Sequence, residues 1–268
     1  MVVEDIYIKN FKKFFNDSGN NDRSGIHISD LTSNCFRKMY LIQKIKQFNL
    51  NSEFDLKSMN IIYLGQKYHE IPVSNVCINE RFSLIENDIS EYVYVYNEES
   101  KCNKLYDRDG NYLGIYGHEY PITWYGVVGS VDDIVIKDNE IIIVDKKTTS
   151  KIPNYIYPNY KKQLEYYAVC LSKMHPNEEF KKGAILYINN YMKHRFQLGS
   201  IYTDINVDEA TEEFVNKVDK IKEYLEADII PKADKNSWDC KYCKFKSLCR
   251  MIGLCNCSWS DDLINGVE

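Results

Sequence analysis

Two runs of β-branched residues joined by a polar turn constrain the fold of this chain more than any other feature. The runs are YGVVGSVDDIVI at residues 125–136 and EIIIVDKKTTS at residues 140–150, and the turn between them reads KDNE. Valine and isoleucine favour strands because their branched side chains pack well against neighbours on a pleated surface. The pattern therefore predicts a strand–turn–strand unit, whose two strands lie about 5 Å apart.

Helical and strand patterns alternate along the rest of the chain. Apolar residues recur with helical spacing at residues 3–16, 31–45, 61–70, 157–174 and 207–227. Strand patterns occupy much of residues 76–123, and again residues 183–190 and 195–205. Because the two kinds of pattern are interspersed, we expect an α/β or α+β fold with a central mixed sheet.

Composition limits the cellular context and the kinds of partner. The chain of 268 residues has a net charge of −5, so binding to a nucleic acid would depend on local basic patches. No apolar run is long enough for a membrane span or a signal peptide, and we expect a cytoplasmic protein with no membrane partner. In a reducing compartment, its nine cysteines favour metal ligation or buried thiols over disulfides. The oligomeric state stays open, a homo-oligomer included.

Two carboxylates are expected to face each other across the predicted hairpin. Asp132 lies in the first strand, and Asp145 and Lys147 share one face of the second because side chains alternate. Opposed carboxylates destabilise a sheet unless a cation neutralises them, and Mg²⁺ or Mn²⁺ prefers such oxygen ligands. Lys147 could then orient a phosphate for hydrolysis. From spacing alone, ordinary solvated charges at strand ends are the more frequent explanation.

Two further pairs are spaced to share one face of a helix. Gly65 and His69 lie four residues apart, as do Gln163 and Tyr167 in the helix predicted after the hairpin. Taken separately, a lone histidine is more often structural, and a Gln–Tyr pair is more often a surface hydrogen bond.

The order of these motifs resembles the RecB-type branch of the PD-(D/E)XK nucleases. The motifs are GxxxH at residues 65–69, GxxD at 129–132, DxK at 145–147 and QxxxY at 163–167. The resemblance implies that His69, Asp132, Asp145 and the Lys146 carbonyl hold Mg²⁺ or Mn²⁺. It also implies that Lys147 is the catalytic lysine and that Gln163 and Tyr167 position DNA and the active site.

Three late cysteines, at positions 240, 243 and 249, are one ligand short of a tetrahedral metal site. Cys255 or Cys257 could complete a local zinc site, and Cys35 is a remote alternative; spacing alone leaves both open. A subset of RecB-type nucleases, the CRISPR-associated Cas-four family among them, has one cysteine before the nuclease motifs and three after them. The resemblance implies an iron–sulfur cluster, [4Fe–4S] or [2Fe–2S], on Cys35, Cys240, Cys243 and Cys249, although four thiolates also suit zinc.

The resemblance to the Cas-four family also implies a function. We expect a metal-dependent nuclease that acts on single-stranded DNA or DNA with unpaired ends, as a 5′-to-3′ exonuclease, an endonuclease or both. It would process DNA for CRISPR spacer acquisition, with Cas integrase proteins as partners. The predicted parts are an N-terminal helical part with Cys35 (1–60), a nuclease core (61–205, with 75–124 as an insertion), and a C-terminal helix with the three-cysteine segment (206–268).

Other interpretations of the same residues remain open. The chain could be a stand-alone or mobile-element nuclease of DNA repair or recombination, or a non-catalytic, zinc-containing nucleic-acid-binding module. Tyr242 and Phe245 alternate with lysines in the three-cysteine segment. They could stack on unpaired bases or pack beneath the metal site, and the sequence favours neither role.

Overall fold

An eight-stranded mixed sheet organises the molecule. The computed structural model describes residues 25–44, 65–69, 92–97, 102–107, 109, 111–137, 140–189, 197–232, 240, 243 and 245–251. The strands are β1 (Ile26–His27), β2 (Tyr92–Asn97), β3 (Cys102–Asp107), β4 (Tyr112–Trp124), β5 (Val127–Lys137), β6 (Glu140–Thr148), β7 (Lys182–Asn189) and β8 (Gln197–Asp204). Strands β2 to β8 lie side by side in chain order, and β1 pairs with β5.

The described helices are α1 (Ile28–Leu31), α2 (Phe36–Lys44), α3 (residues 65–69), α4 (Pro158–Met174), α5 (Val207–Glu226) and α6 (Lys246–Met251). The central mixed sheet with flanking helices confirms the expected fold class. Helices α4 and α5 also confirm the helical patterns predicted for residues 157–174 and 207–227.

The predicted strand–turn–strand unit is the antiparallel pair β5–β6. Asp133 lies opposite Val144, and Lys137 lies opposite Glu140. Strand β6 pairs on its other side with β7 in parallel. Parallel neighbours need a long crossover connection, and α4 supplies it. This places α4 directly after the strand that carries Asp145 and Lys147.

Helices α4 and α5 bury a continuous apolar core against the sheet. Phe214 on α5 is fully buried, stacks on Trp124 of β4 at a ring distance of 5.4 Å, and meets Tyr166 of α4 edge-on at 5.3 Å. Val218 and Ile221 continue this buried stripe. Burying aromatic and branched side chains supplies the main driving force for this packing.

The helix predicted over residues 31–45 is interrupted. Residues 32–35 separate α1 from α2. The Ser33 hydroxyl accepts a hydrogen bond from the Cys35 backbone N–H at 3.2 Å, and the Ser33 N–H donates to the Asp30 carbonyl at 3.4 Å. Serine side chains compete for backbone groups in this way, which favours a turn over a continuous helix.

Early and late parts of the chain meet at α2. The buried Arg37 Nε donates to the Pro231 carbonyl oxygen at 2.7 Å, and the Tyr40 hydroxyl donates to Asp228 Oδ1 at 2.8 Å. Lys44 forms an ion pair with the same aspartate. Helix α2 is therefore fastened to the segment that follows α5.

Some predictions concern residues that the structure does not describe. The helix predicted over residues 3–16 lies outside the described residues, and the three-part division of the chain stays a prediction. Strand β4, within the predicted insertion, pairs with β5 from Gly117 to Trp124. Among the described residues, no helix is both long enough and apolar enough to cross a membrane.

Gly183 on β7 marks a tight contact between the sheet and α4. An added Cβ would lie 3.0 Å from Leu164 Cδ1, 3.3 Å from Leu164 Cβ and 3.1 Å from Ile205 Cδ1. We expect Gly183→Ala to lower the free energy of unfolding by about 1–3 kcal/mol through overpacking, as measured by urea denaturation. Gly129→Ala, whose nearest contact would be 3.4 Å, is the matched control. Equal stability of the two variants would contradict the tight contact.

Candidate active site

Strands β5 and β6 bring the predicted carboxylates and lysine together. The pairing of Asp133 with Val144 places Asp132 opposite Asp145 one step further along the ladder. Both side chains are buried, at 6% and 1% exposed. Lys147 Nζ lies 2.7 Å from Asp145 Oδ2 and 3.0 Å from Oδ1. The expected cluster is thus assembled on one face of the sheet.

Asp132 is held by two donors. Its Oδ2 accepts a hydrogen bond from the Lys146 backbone N–H at 2.6 Å, and its Oδ1 lies 3.0 Å from His69 Nδ1. Burial opposes ionisation of Asp132, but the hydrogen bond and charge of His69 outweigh it and lower the pKa of Asp132. Burial likewise opposes protonation of His69, and Asp132 outweighs it and raises the histidine pKa. His69, on α3, therefore joins the site.

Burial favours the neutral forms of both Asp145 and Lys147, but only the pKa of Asp145 shifts in that direction. Burial raises the pKa of Asp145 to about 6, and repulsion from Asp132 adds to this against the opposing attraction of Lys147. Burial favours the neutral form of Lys147, but Asp145 outweighs it and raises the lysine pKa. Lys147 therefore stays protonated at neutral pH, and Asp145 is the carboxyl that most needs a further cation.

Lys146 forms a second buried charge network on the opposite face of the sheet. Its Nζ lies 2.6 Å from Asp133 Oδ2 and donates to the His69 backbone carbonyl at 3.3 Å. His118 Nδ1 lies 3.1 Å from Asp133 Oδ1. The side chain of Lys146 thus secures the backbone of α3 at His69. The role of the Lys146 carbonyl as a metal ligand stays a prediction.

Gln163 and Tyr167 form the hydrogen bond that their helical spacing suggested. Gln163 Nε2 donates to the Tyr167 hydroxyl at 2.6 Å. Tyr167 is buried, and burial together with the charges of Asp145 and Asp132 holds its pKa well above the usual value. The phenol therefore remains neutral beside the carboxylates. The role of the pair in positioning DNA and the active site stays a prediction.

Glu119 on β4 was not identified from the sequence. Its carboxylate, the Asp132 carboxylate and the His69 imidazole each offer a ligand atom within 4.8 Å of the others. Glu119 has a φ of 48°, a left-handed backbone conformation unusual for a residue with a side chain. Ser130 Oγ donates to Glu119 Oε2 at 3.0 Å. This trio is the only such group of potential metal ligands among the described residues.

A turn in the sequence could have revealed Glu119. Tyr125 and Gly126 both have positive φ and join β4 to β5 as a two-residue hairpin turn. The pairs His118↔Asp133 and Tyr120↔Val131 then place Glu119 opposite Asp132. The predicted strand–turn–strand unit begins at residue 125, so the pairing of β4 with β5 lies outside it.

The predicted cluster cysteine Cys35 precedes α2, and the other three follow the segment to which α2 is hydrogen-bonded. Cys35 is buried immediately before α2, and Cys240, Cys243 and Cys249 are partly buried; none forms a disulfide. Cys243 and Cys249 pack against the main core. In the described part of the chain, no three of these thiols lie within 4.8 Å of one another. The metal on these cysteines stays a prediction, since four thiolates suit either an iron–sulfur cluster or zinc.

Of the two aromatic residues in the three-cysteine segment, the structure describes Phe245, which is not exposed. Phe245 is 3% exposed and belongs to the core. The alternative of core packing is therefore confirmed for Phe245, and Tyr242 lies outside the described residues. Cys170 on α4 is fully buried, and burial raises the pKa of its thiol to about 12.

Comparisons with known proteins concern the family and the fold of the chain. A family model for the PD-(D/E)XK nuclease superfamily matches residues 94–250. The crystal structure of SSO0001 is similar with a TM-score of 0.51 and 14% identity, over 92% of this chain and 97% of that one. An alkaline exonuclease from Laribacter hongkongensis, LHK-Exo, gives a TM-score of 0.37 and 11% identity, over 76% and 89% of the chains. The comparison with curated proteins gives no match.

The raised pKa of Asp145 predicts a specific titration in the metal-free protein. We expect its side-chain carboxyl to titrate near pH 6 by ¹³C NMR, and Lys147→Ala to raise that midpoint because the lysine charge lowers it. The pKa of Asp145 in the folded state exceeds the usual aspartate value of 3.8, so the folded state binds more protons between these values. This group's contribution to the free energy of unfolding therefore falls as pH rises through that window. The exposed-lysine variant Lys220→Ala should leave the midpoint unchanged; an Asp145 midpoint near 4 would contradict the prediction.

Proposed function

Since this chain belongs to the PD-(D/E)XK nuclease superfamily, we propose that it is a divalent-metal-dependent deoxyribonuclease whose hydrolytic centre is built on Asp132, Asp145 and Lys147. The observation that carries this proposal is the buried contact between Asp145 and Lys147, with Asp132 opposite and His69 bound to Asp132. Buried charges of this kind are frequent at catalytic sites, where their environment tunes proton affinity.

The donor set suits a hard divalent cation. We assign the ligands to His69, Asp132, Asp145 and the Lys146 carbonyl, and we add Glu119 because its carboxylate approaches His69 and Asp132. Carboxylate and carbonyl oxygens favour Mg²⁺ or Mn²⁺, and an imidazole ligand is compatible with Mn²⁺ in particular. When bound, such a cation supplies Lewis acidity that lowers the pKa of a water molecule and polarises a phosphate oxygen.

The chain's own side chains then position the reacting groups. Lys147, kept protonated by Asp145, can donate a hydrogen bond to a phosphate oxygen and stabilise the negative charge that develops there. Asp145 in turn fixes the position of the lysine through contacts to both of its carboxylate oxygens. Neutral Tyr167, held by Gln163, lines the same region and can orient the substrate without adding charge.

For the four cysteines, we propose an iron–sulfur cluster on Cys35, Cys240, Cys243 and Cys249. The hydrogen bonds from α2 to Asp228 and Pro231 support it, because they bring the segment after Cys35 to the segment that leads to Cys240. A bond between chain segments about 200 residues apart would stabilise the fold by restricting the unfolded chain. The cluster's role would be structural, separate from the hydrolytic centre.

The biological setting rests on the sequence resemblance to the Cas-four family. It comprises the trimming of single-stranded DNA, or of DNA with unpaired ends, before spacer integration, with Cas integrase proteins as partners. The division into a helical part (1–60), a nuclease core (61–205) and a C-terminal segment (206–268) belongs to the same proposal.

The hydrolytic centre can be tested by comparing variants in a nuclease assay with Mn²⁺ or Mg²⁺. We expect Lys147→Ala and Asp132→Ala each to lower the cleavage rate of single-stranded DNA by about 10²–10³-fold or more, as is typical when one stabilising group is removed. Lys220→Ala removes an exposed lysine that pairs with Glu223 and should retain full activity. Full activity of either site variant, with unchanged thermal stability, would refute the centre.

The cysteine proposal has a spectroscopic test that does not depend on cleavage. We expect the purified protein to contain iron and to absorb visible light, and Cys35→Ala to remove both properties. Cys170→Ala, at a buried cysteine that is not a predicted ligand, should retain them. A colourless, zinc-containing protein whose metal content ignores the Cys35 substitution would instead favour a local zinc site.

A further inference from the structure

Three tyrosines form a chain of ring contacts that leads from Lys147 to the protein surface. Lys147 Nζ lies 5.1 Å from the ring centre of Tyr160. The Tyr160 ring meets Tyr157 edge-on at 5.6 Å, and Tyr157 meets Tyr155 edge-on at 4.9 Å. Exposure rises along the series, from a half-buried Tyr160 to 39% at Tyr157 and 53% at Tyr155. Aromatic surface is thus exposed next to the candidate catalytic lysine.

The backbone beneath the two outer rings is firmly held. The buried Tyr187 donates from its hydroxyl to the Tyr155 carbonyl at 3.4 Å. The Tyr157 carbonyl accepts hydrogen bonds from the N–H groups of Tyr160 and Lys161 at 2.9 and 3.0 Å. Pro158, the first residue of α4, restricts the backbone at that point. The rings are therefore presented in a largely fixed arrangement, which lowers the entropy lost when a ligand binds.

Neither helix capping nor burial explains why tyrosines occupy the two outer positions. Tyr157 occupies the N-cap position of α4 and makes no side-chain capping bond. Serine, threonine, aspartate or asparagine at that position would stabilise the helix more than a residue that cannot cap. Tyr155 leaves more than half of its surface in solvent and so gains little from burial.

The charge of this segment suits a polyanion. Residues 149–162, TSKIPNYIYPNYKK, contain three lysines and no acidic residue, although the whole chain has a net charge of −5. Lys161 and Lys162 also approach Glu165, and Lys162 pairs with Glu213, whereas Lys151 is exposed on the same loop. Aromatic rings interspersed with cationic side chains are the combination that binds single-stranded nucleic acids through base stacking and phosphate contacts.

We propose that Tyr155 and Tyr157 form a stacking platform for unpaired bases of a single-stranded DNA whose phosphodiester backbone reaches Lys147. Unpaired bases are required, because the faces of bases in a duplex are covered by their neighbours. The platform rests on the proposed nuclease function, and it names the residues that would give that function its preference for single strands. Tyr160 links the platform to the lysine and contributes no exposed face of comparable size.

The platform can be tested by binding without cleavage, using the full chain in EDTA. The probes are a fluorescent oligo(dT) of about twelve nucleotides and an abasic strand with the same number of phosphates, compared by fluorescence anisotropy. We expect Tyr155→Leu and Tyr157→Leu each to weaken oligo(dT) binding about 5- to 50-fold and to leave abasic-strand binding unchanged. Tyr155→Phe, which keeps the ring, should bind as the unaltered protein does.

An exposed tyrosine elsewhere provides the matched control. Tyr202 on β8 is 54% exposed and pairs with Ala184, so it lies on the sheet face opposite Asp145. Tyr202→Leu should leave binding unchanged. Equal binding of oligo(dT) and the abasic strand by the unaltered protein would overturn the platform, and this comparison needs no variant to fold. Equal losses on both strands in the leucine variants would overturn it too, because they would show lost charge contacts or lost structure.

The platform and the nuclease function fail in different ways. If the unaltered protein cleaves oligo(dT) with Mn²⁺, and the Tyr155→Leu/Tyr157→Leu double variant binds and cleaves it equally well, the platform is refuted and the nuclease function stands. If the unaltered protein cleaves no DNA but shows the predicted loss on the abasic strand, the platform stands and the nuclease function is refuted. Tighter binding of blunt duplex than of oligo(dT) would also refute the platform.

Discussion

The pairing of buried lysines with buried aspartates underlies the arrangement of the whole site. Strand β6 presents Asp145, Lys146 and Lys147 in succession, and alternation sends the two lysines to opposite faces of the sheet. Lys147 pairs with Asp145 on one face, and Lys146 pairs with Asp133 on the other. A buried charge without a partner is strongly destabilising, so each lysine is fixed in place by the acid that it neutralises.

Lys146 and Asp132 have complementary effects on His69. The side chain of Lys146 binds the His69 backbone carbonyl from one side of the sheet, and Asp132 binds its imidazole on the other. The short helix α3 is thus held at His69 through both the backbone and the side chain of that residue. A histidine whose backbone and ring are both constrained is preorganised for the metal-ligand role proposed for it, because a preorganised site need not rearrange during the reaction.

Sequence periodicity was sufficient for the strands and helices that position the site, because β5, β6 and α4 are long and strongly patterned. The Asp145–Lys147 contact followed from alternation along a single strand. Glu119 was missed because the predicted hairpin began at residue 125, so the strand before the Tyr125–Gly126 turn was not paired with β5. The contact between the Lys146 side chain and α3 was also missed. That side chain lies on the opposite face of the sheet, and only tertiary structure brings α3 near it.

The hydrogen bond from Arg37 to Pro231 has a consequence for the order of events during synthesis. The two residues lie 194 positions apart. At translation rates of about 5–20 residues per second, Pro231 leaves the ribosome roughly 10–40 s after Arg37. Until then the Arg37 guanidinium, which is buried in the finished protein, lacks the Pro231 carbonyl that it binds, and α2 lacks this contact. Helix α2 is therefore synthesised long before the segment that fixes it, and a chain interrupted before residue 231 would expose that helix to proteases and chaperones.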